Sequence, residues 1–154
     1  MAKVFYDTSA LVKYYHSEAG TPVVSKLMSG GQNVISVLGF VEAQAAFAAK
    51  VRSGEISKDA AGVLRARLLL DIAAGDLNVI ALTRDHFDGA ARLVGRHSFT
   101  HRLRTLDALQ LATATDLHRQ GIIDRFVVAD QALVDVATLE GISVLNPMIP
   151  SATE

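Results

Sequence analysis

Cysteine is absent from the 154 residues, which removes disulfides, thiolate nucleophiles and cysteine-based zinc sites together. That absence suits a reducing cytoplasm, the compartment expected for this chain. No apolar run approaches the roughly 20 residues needed to cross a bilayer, so no membrane association is expected. The N-terminus does not have the form of a secretory leader, because Asp7 breaks the first apolar stretch almost at once. An excess of positive charge is missing too. The 15 Lys and Arg face 16 Asp and Glu for a net charge of −1, unlike proteins that hold nucleic acid by bulk charge alone. No repeat, low-complexity run or Pro/Ser-rich linker divides the chain. One domain over residues 1–147 is expected, followed by a tail over 148–154.

What is present is a chain half hydrophobic and one fifth charged, the balance of a globular domain with a real core. Five short β-branched segments read as strands: Val4 to Tyr6, Val34 to Val37, Asn78 to Leu82, Arg125 to Ala129 and Ile142 to Leu145. Their nearly continuous hydrophobicity is the mark of strands covered on both faces. Between them, Leu38 to Arg52, Ser57 to Ala73, Thr83 to Arg96 and Thr105 to Gln120 carry helical spacing. Glycines at 30, 31, 54, 75 and 121 punctuate the proposed helix ends. Strands alternating with helices indicate an α/β fold, a five-stranded parallel sheet with helices on both faces.

Four acids mark places where apolar segments end or turn: Asp7, Glu42, Asp107 and Asp130. Asp7 follows the first strand and Asp130 the fourth. Taken alone, each is first an N-cap, since Asp accepts from the free N–H groups that open a helix. Each also lies at a strand's carboxyl end, where open α/β sheets bind ligands. Glu42 and Asp107 are set in strongly apolar surroundings, Phe40-Val41-Glu42-Ala43 and Leu106-Asp107-Ala108-Leu109. A helix N-terminus favours such charges by about 0.3–1 kcal/mol, which accounts for them in part. Burial of a carboxylate still demands a partner. No Lys or Arg lies one turn from Glu42, whereas Arg104 precedes Asp107 by three residues and is a candidate partner. If the four meet in the fold, their repulsion calls for a divalent cation, and oxygen ligands favour Mg²⁺ or Mn²⁺.

In order along the chain stand Asp7-Thr8-Ser9-Ala10-Leu11-Val12-Lys13, Glu42 in an apolar helix, Leu106-Asp107-Ala108-Leu109-Gln110-Leu111-Ala112, and Val128-Ala129-Asp130-Gln131-Ala132-Leu133. This series resembles the PIN-domain ribonucleases, most of all the VapC-type toxins of bacterial toxin–antitoxin pairs. The likeness runs from Lys3 to about Pro147 and includes the closing Val144-Leu145-Asn146-Pro147. It implies a single PIN-like domain and a Mg²⁺- or Mn²⁺-dependent endoribonuclease. Asp7, Glu42, Asp107 and Asp130 would be the catalytic, metal-holding acids, with Ser9 supporting the first loop. Hydrolysis by water, leaving 5′-phosphate and 3′-hydroxyl ends, follows from the same resemblance. So do a small antitoxin covering the site and a homodimer, for which the Ala- and Leu-rich stretch Asp59 to Ala73 offers a face. One departure stands out: Val128 occupies a position where relatives often carry Thr or Ser.

Between Arg92 and Arg104 lie four Arg, His97, His101 and Phe99 without a single acid. Arg102 and Arg104 are candidate RNA contacts, and Phe99 could stack a base; a solvated helix end is the plainer account. The five His fall outside the acidic motifs and are expected at the surface or in packing. A receiver domain would need Asp after the third strand, where Thr83 and Arg84 stand, and Lys after the last, where Asn146 stands. A haloacid-dehalogenase-type phosphatase would need Asp at position 9, which is Ser. A non-catalytic PIN-like binding module, or a PIN nuclease that processes RNA outside toxin–antitoxin pairs, are the alternatives to a toxin.

Overall fold

The computed structural model describes residues 1–149; residues 150–154 of the expected tail lie outside them. Five strands, β1 (Lys3–Tyr6), β2 (Gln32–Ser36), β3 (Leu77–Ile80), β4 (Arg125–Val127) and β5 (Val144–Leu145), form one sheet. Seven helices join them: α1 (Thr8–Tyr15), α2 (Thr21–Gly30), α3 (Val37–Arg52), α4 (Lys58–Ala74), α5 (Arg84–His97), α6 (Thr105–Arg119) and α7 (Gln131–Leu139). All pairings are parallel, in the order β3-β2-β1-β4-β5. The expected five-stranded parallel α/β fold is therefore the observed one.

Alternation along the central strand divides the core. Val4 and Tyr6 point into one layer with Ile35, Val127, Ala43, Phe47, Leu64 and Leu68. Phe5 points the other way, into a layer with Phe126, Leu109, Leu111, Leu133 and Val136. The period of two along a strand produces both layers from one run of residues. The first layer is closed by α1 to α4 and the second chiefly by α5, α6 and α7.

Several boundaries depart from the sequence reading. Val37 begins α3 rather than ending β2, because the Ser36 hydroxyl accepts from the Gly39 N–H and caps the helix there. The fifth strand keeps only Val144 and Leu145. β3 is an edge strand with Asn78 and Val79 exposed, so full coverage on both faces does not extend to it. Along α4, Leu64 and Leu68 are buried while Val63, Leu69 and Leu70 face outward, the apolar surface expected over Asp59 to Ala73. No helix among the described residues is long and apolar enough to cross a membrane.

The sheet's order sets the functional end. From β1 the chain crosses to β2 on one side, and β4 later takes the place on the other. The crevice at such a reversal, beyond the carboxyl ends of β1 and β4, is where an open α/β sheet accommodates ligands.

Candidate active site

Asp7 leaves β1 at this crevice, tied to β4 by its own N–H, which donates to the Val127 carbonyl at 2.9 Å. It is the N-cap of α1: its Oδ2 accepts the Ser9 N–H at 3.1 Å and, in a very short contact, the Ser9 hydroxyl. Ser9 Oγ in turn accepts the Ala129 N–H at 3.0 Å. The serine thus links the two strand ends. Asp130 caps α7 in the same way, with Oδ1 accepting the Ala132 N–H at 3.0 Å. For both aspartates the cap reading is correct, yet each cap uses one carboxylate oxygen and leaves the other.

Glu42 lies in the second turn of α3, past the reach of the helix terminus; the expectation that the N-terminus steadies it fails. Its partners are instead Thr8 Oγ1 at 3.0 Å and Gln110 Nε2 at 3.3 Å, both donating to Oε1. Asp107 stands in the first turn of α6. Arg104 forms no ion pair with it; the basic residue in salt-bridge contact with the acids is Arg102, whose Nη2 lies 3.4 Å from Asp130 Oδ1.

The electrostatics show that the four share one field. Asp7 is buried, and its pKa is pushed up to about 6, first by burial and then by the charges of Asp107 and Glu42 against the help of Ser9. Glu42 is raised by burial and by Asp107. Asp107 is raised by burial and by Asp130, against the pull of Arg104 and Arg102. Like charges on buried and half-buried groups disfavour full ionisation. Perturbation of this kind, among neighbouring carboxylates, is what functional carboxylates display.

The tightest trio of possible ligand atoms among the described residues is elsewhere, at His16, Glu18 and Glu55, within 4.8 Å of one another. No three of the quartet approach that closely among the described residues. The trio is already neutralised: Lys13 and Lys50 pair with Glu18 at 3.2 and 3.4 Å, and Lys50 pairs with Glu55 at 3.4 Å. The quartet carries more acid than base, with Arg102 on Asp130 as its salt bridge among the described residues.

The remaining candidates sort simply. Val128 is buried among the core side chains, where a hydroxyl would need a new partner. Phe99 is almost wholly exposed on the loop after α5. Arg96 pairs with Glu140 at 3.4 Å, so that end of the basic stretch is structural. Two histidines are buried rather than superficial. His86 accepts the Thr83 N–H at Nδ1 and lies 2.8 Å from Asp116, while His97 lies 2.6 Å from Glu140. Thr8, Ser36 and Gln110 escaped the sequence reading. Gln110 had a signal: it is a polar residue one turn beyond Asp107 on a helix otherwise apolar there.

The family model for the PIN domain matches residues 4–139, and the chain belongs to the PIN-domain family. Among solved structures it is similar to FitAcB from Neisseria gonorrhoeae, with 16% identity, 94% of this chain and 97% of that chain covered, and a TM-score of 0.65. It is also similar to Mycobacterium tuberculosis VapC20, described as a sarcin–ricin loop cleaving toxin. There the identity is 18%, the coverage 86% and 93%, and the TM-score 0.62. A third is VapBC2 from Rickettsia felis bound to a promoter DNA fragment, with 14% identity, 93% and 97% coverage, and a TM-score of 0.60. No curated protein sequence matches the chain.

Proposed function

We propose that this PIN domain is a divalent-metal-dependent endoribonuclease and the toxin of a toxin–antitoxin pair. Asp7, Glu42, Asp107 and Asp130 are its metal-holding, catalytic acids. The observation that carries the reading is the gathering of four carboxylates from four elements around the sheet's reversal point, each raising another's pKa or raised by it. Hydrogen bonds hold one oxygen each of Asp7, Glu42 and Asp130. Asp7 Oδ1, Glu42 Oε2 and Asp130 Oδ2 remain to meet a cation. Hard, anionic oxygens under mutual repulsion fit Mg²⁺ or Mn²⁺.

When bound, such a cation would neutralise phosphate charge and make water a better nucleophile. The chain's own residues supply the rest. Ser9 and the β4 backbone fix Asp7, so the first ligand need not be ordered when the cation arrives. Thr8 and Gln110 hold Glu42. Arg102 and Arg104, beside Asp130 and Asp107, offer positive charge to an incoming RNA phosphate. His86 and His97 are engaged with Asp116 and Glu140, so these two are not placed as an acid–base pair for cyclic-phosphate chemistry. Water attack leaving 5′-phosphate ends suits this arrangement.

The solved relatives include a toxin–antitoxin complex from Klebsiella pneumoniae at 20% identity. A small antitoxin covering the acidic crevice is the partner this reading calls for. The outward Val63, Leu69 and Leu70 of α4 suit a protein interface, here a homodimer. The cytoplasm, with its RNA, is the setting.

The test is cleavage of a mixed RNA panel with Mg²⁺, Mn²⁺ or EDTA, comparing the wild type with Asp107→Asn. Cleavage that needs metal, leaves 5′-phosphates and falls at least about 100-fold in the variant is expected, the order of effect of losing one electrostatic group from a catalytic site. Metal-independent cleavage indifferent to Asp107→Asn would overturn the assignment.

A further inference from the structure

Gln110 is among the most deeply buried polar side chains of the molecule, 1% exposed. An uncharged amide in such a place is costly to desolvate unless its donors and acceptor are used. Leu or Met would fill the space on α6 without that cost. What Gln110 touches is therefore informative. Its Oε1 accepts from Ser36 Oγ at 2.9 Å, and its Nε2 donates to Glu42 Oε1 at 3.3 Å.

The direction of this relay is fixed by the Glu42 carboxylate, which when ionised can only accept and so takes the amide's NH₂. Ser36 Oγ accepts the Gly39 N–H at 3.0 Å as the cap of α3. With the amide nitrogen on Glu42, the amide oxygen faces Ser36, whose hydroxyl proton is free to go to it. A flipped amide would place its oxygen against the carboxylate and its NH₂ against the serine. Thr8 Oγ1 adds a second donor to the same Glu42 Oε1 at 3.0 Å. Two donors on one oxygen fix the carboxylate's rotation and leave Oε2 as the atom without a protein donor.

We infer that Gln110 is a positioning residue: through the Gly39–Ser36–Gln110 relay it holds Glu42 by Oε1 and leaves Oε2 for the divalent cation that the site would bind. The inference rests on the metal-dependent reading above. Its effect is on where a ligand atom sits, so it is read in metal binding. Supporting hydrogen bonds of this type typically change metal affinity 10–100-fold.

The experiment is Mn²⁺ titration by calorimetry and by electron paramagnetic resonance on the wild type, Gln110→Leu, Ser36→Ala, Glu42→Gln and the Glu42→Gln/Gln110→Leu double variant. Circular dichroism checks each fold. Gln110→Leu should bind Mn²⁺ about 10-fold more weakly, and Ser36→Ala should shift affinity the same way. In the Glu42→Gln background, adding Gln110→Leu should weaken Mn²⁺ no further, because the group it positions has already lost its charge. Should Gln110→Leu fail to fold, Gln110→Met takes its place, and Gln110→His, which restores an N–H donor, should recover part of the affinity. Wild-type affinity in Gln110→Leu would overturn the inference. An equal loss with or without the Glu42 carboxylate would assign Gln110 a general packing role and overturn it too. Absence of Mn²⁺ binding by the wild type is a separate outcome, and it would overturn the metal-dependent reading itself.

Discussion

Replacing Asp7 by Asn should make the metal-free protein more stable while destroying the proposed metal site. Asp7 is buried and its pKa is pushed up to about 6 from an ordinary 3.8, chiefly by burial and secondarily by Asp107 and Glu42. The folded state therefore binds this proton more tightly than the unfolded chain. Stability linked to the group is fully present below the unfolded value and is lost as pH rises through about 6. The difference of about two pH units, at roughly 1.36 kcal/mol each, is about 3 kcal/mol above pH 7. Asn keeps an acceptor for the Ser9 N–H and hydroxyl and offers NH₂ donors toward the neighbouring carboxylates. For a chain of this size, 1 kcal/mol moves Tm by about 2–4 °C. Asp7→Asn should then raise the metal-free Tm at pH 8 by roughly 6–12 °C. The gain should be about half as large at pH 5 and gone near pH 3.5. Differential scanning calorimetry in EDTA across that range measures it. Saturating Mn²⁺ should reverse the order, because only the protein that binds the cation gains from it. A variant destabilised at pH 8, or a gain that grows as pH falls, would refute the electrostatic account.

Arg102→Glu should weaken binding of a non-cleaved RNA and lower the steepness of its salt dependence by about one phosphate contact, measured by fluorescence anisotropy in an Asp107→Asn background. Unchanged binding would return Arg102 to the role of a simple partner for Asp130. On α4, Leu68→Ala should cost about 2–5 kcal/mol in urea unfolding, because Leu68 is fully buried. Leu70→Ser, on the outward face, should leave the isolated chain within about 0.5 kcal/mol of wild type. Its effect should appear instead as a loss of self-association in analytical ultracentrifugation.

The fold was readable because its layers follow from short periods. Val4, Phe5 and Tyr6 alternate between two cores, and the helical stretches Leu38 to Arg52 and Thr105 to Gln120 nearly coincide with α3 and α6. What was less readable depends on side-chain capping and on the sheet's edges. The end of β2 is set by one hydroxyl on one amide, Ser36 on Gly39. Exposure of β3 follows from its place at the sheet's edge, and strand order is a property of the whole chain. The contacts of Glu42 were hidden for the same reason. Thr8 and Gln110 are 34 and 68 residues away, beyond any reading of helical spacing. His86 and His97 are buried because Asp116 and Glu140 lie opposite them, pairings of residues 30 and 43 apart in the chain.

The choice between cap and ligand at Asp7 and Asp130 arises only when a carboxylate is treated as a single point. It has two oxygens, and the cap requires one. Asp7 Oδ2 serves α1 and Asp130 Oδ1 serves α7, and in both cases the cap fixes the orientation of the remaining oxygen. Both uses draw on one physical cause, the positive end of a helix that begins where a strand stops. A strand-to-helix turn with Asp at its corner thus orders the proposed ligand as it starts the helix. This explains how a partly buried site can retain four mutually repelling acids: the same hydrogen bonds that begin α1 and α7 lower the cost of holding two of them in place. Glu42 sits in mid-helix with no terminus to serve, and it requires Thr8 and Gln110 for the equivalent constraint.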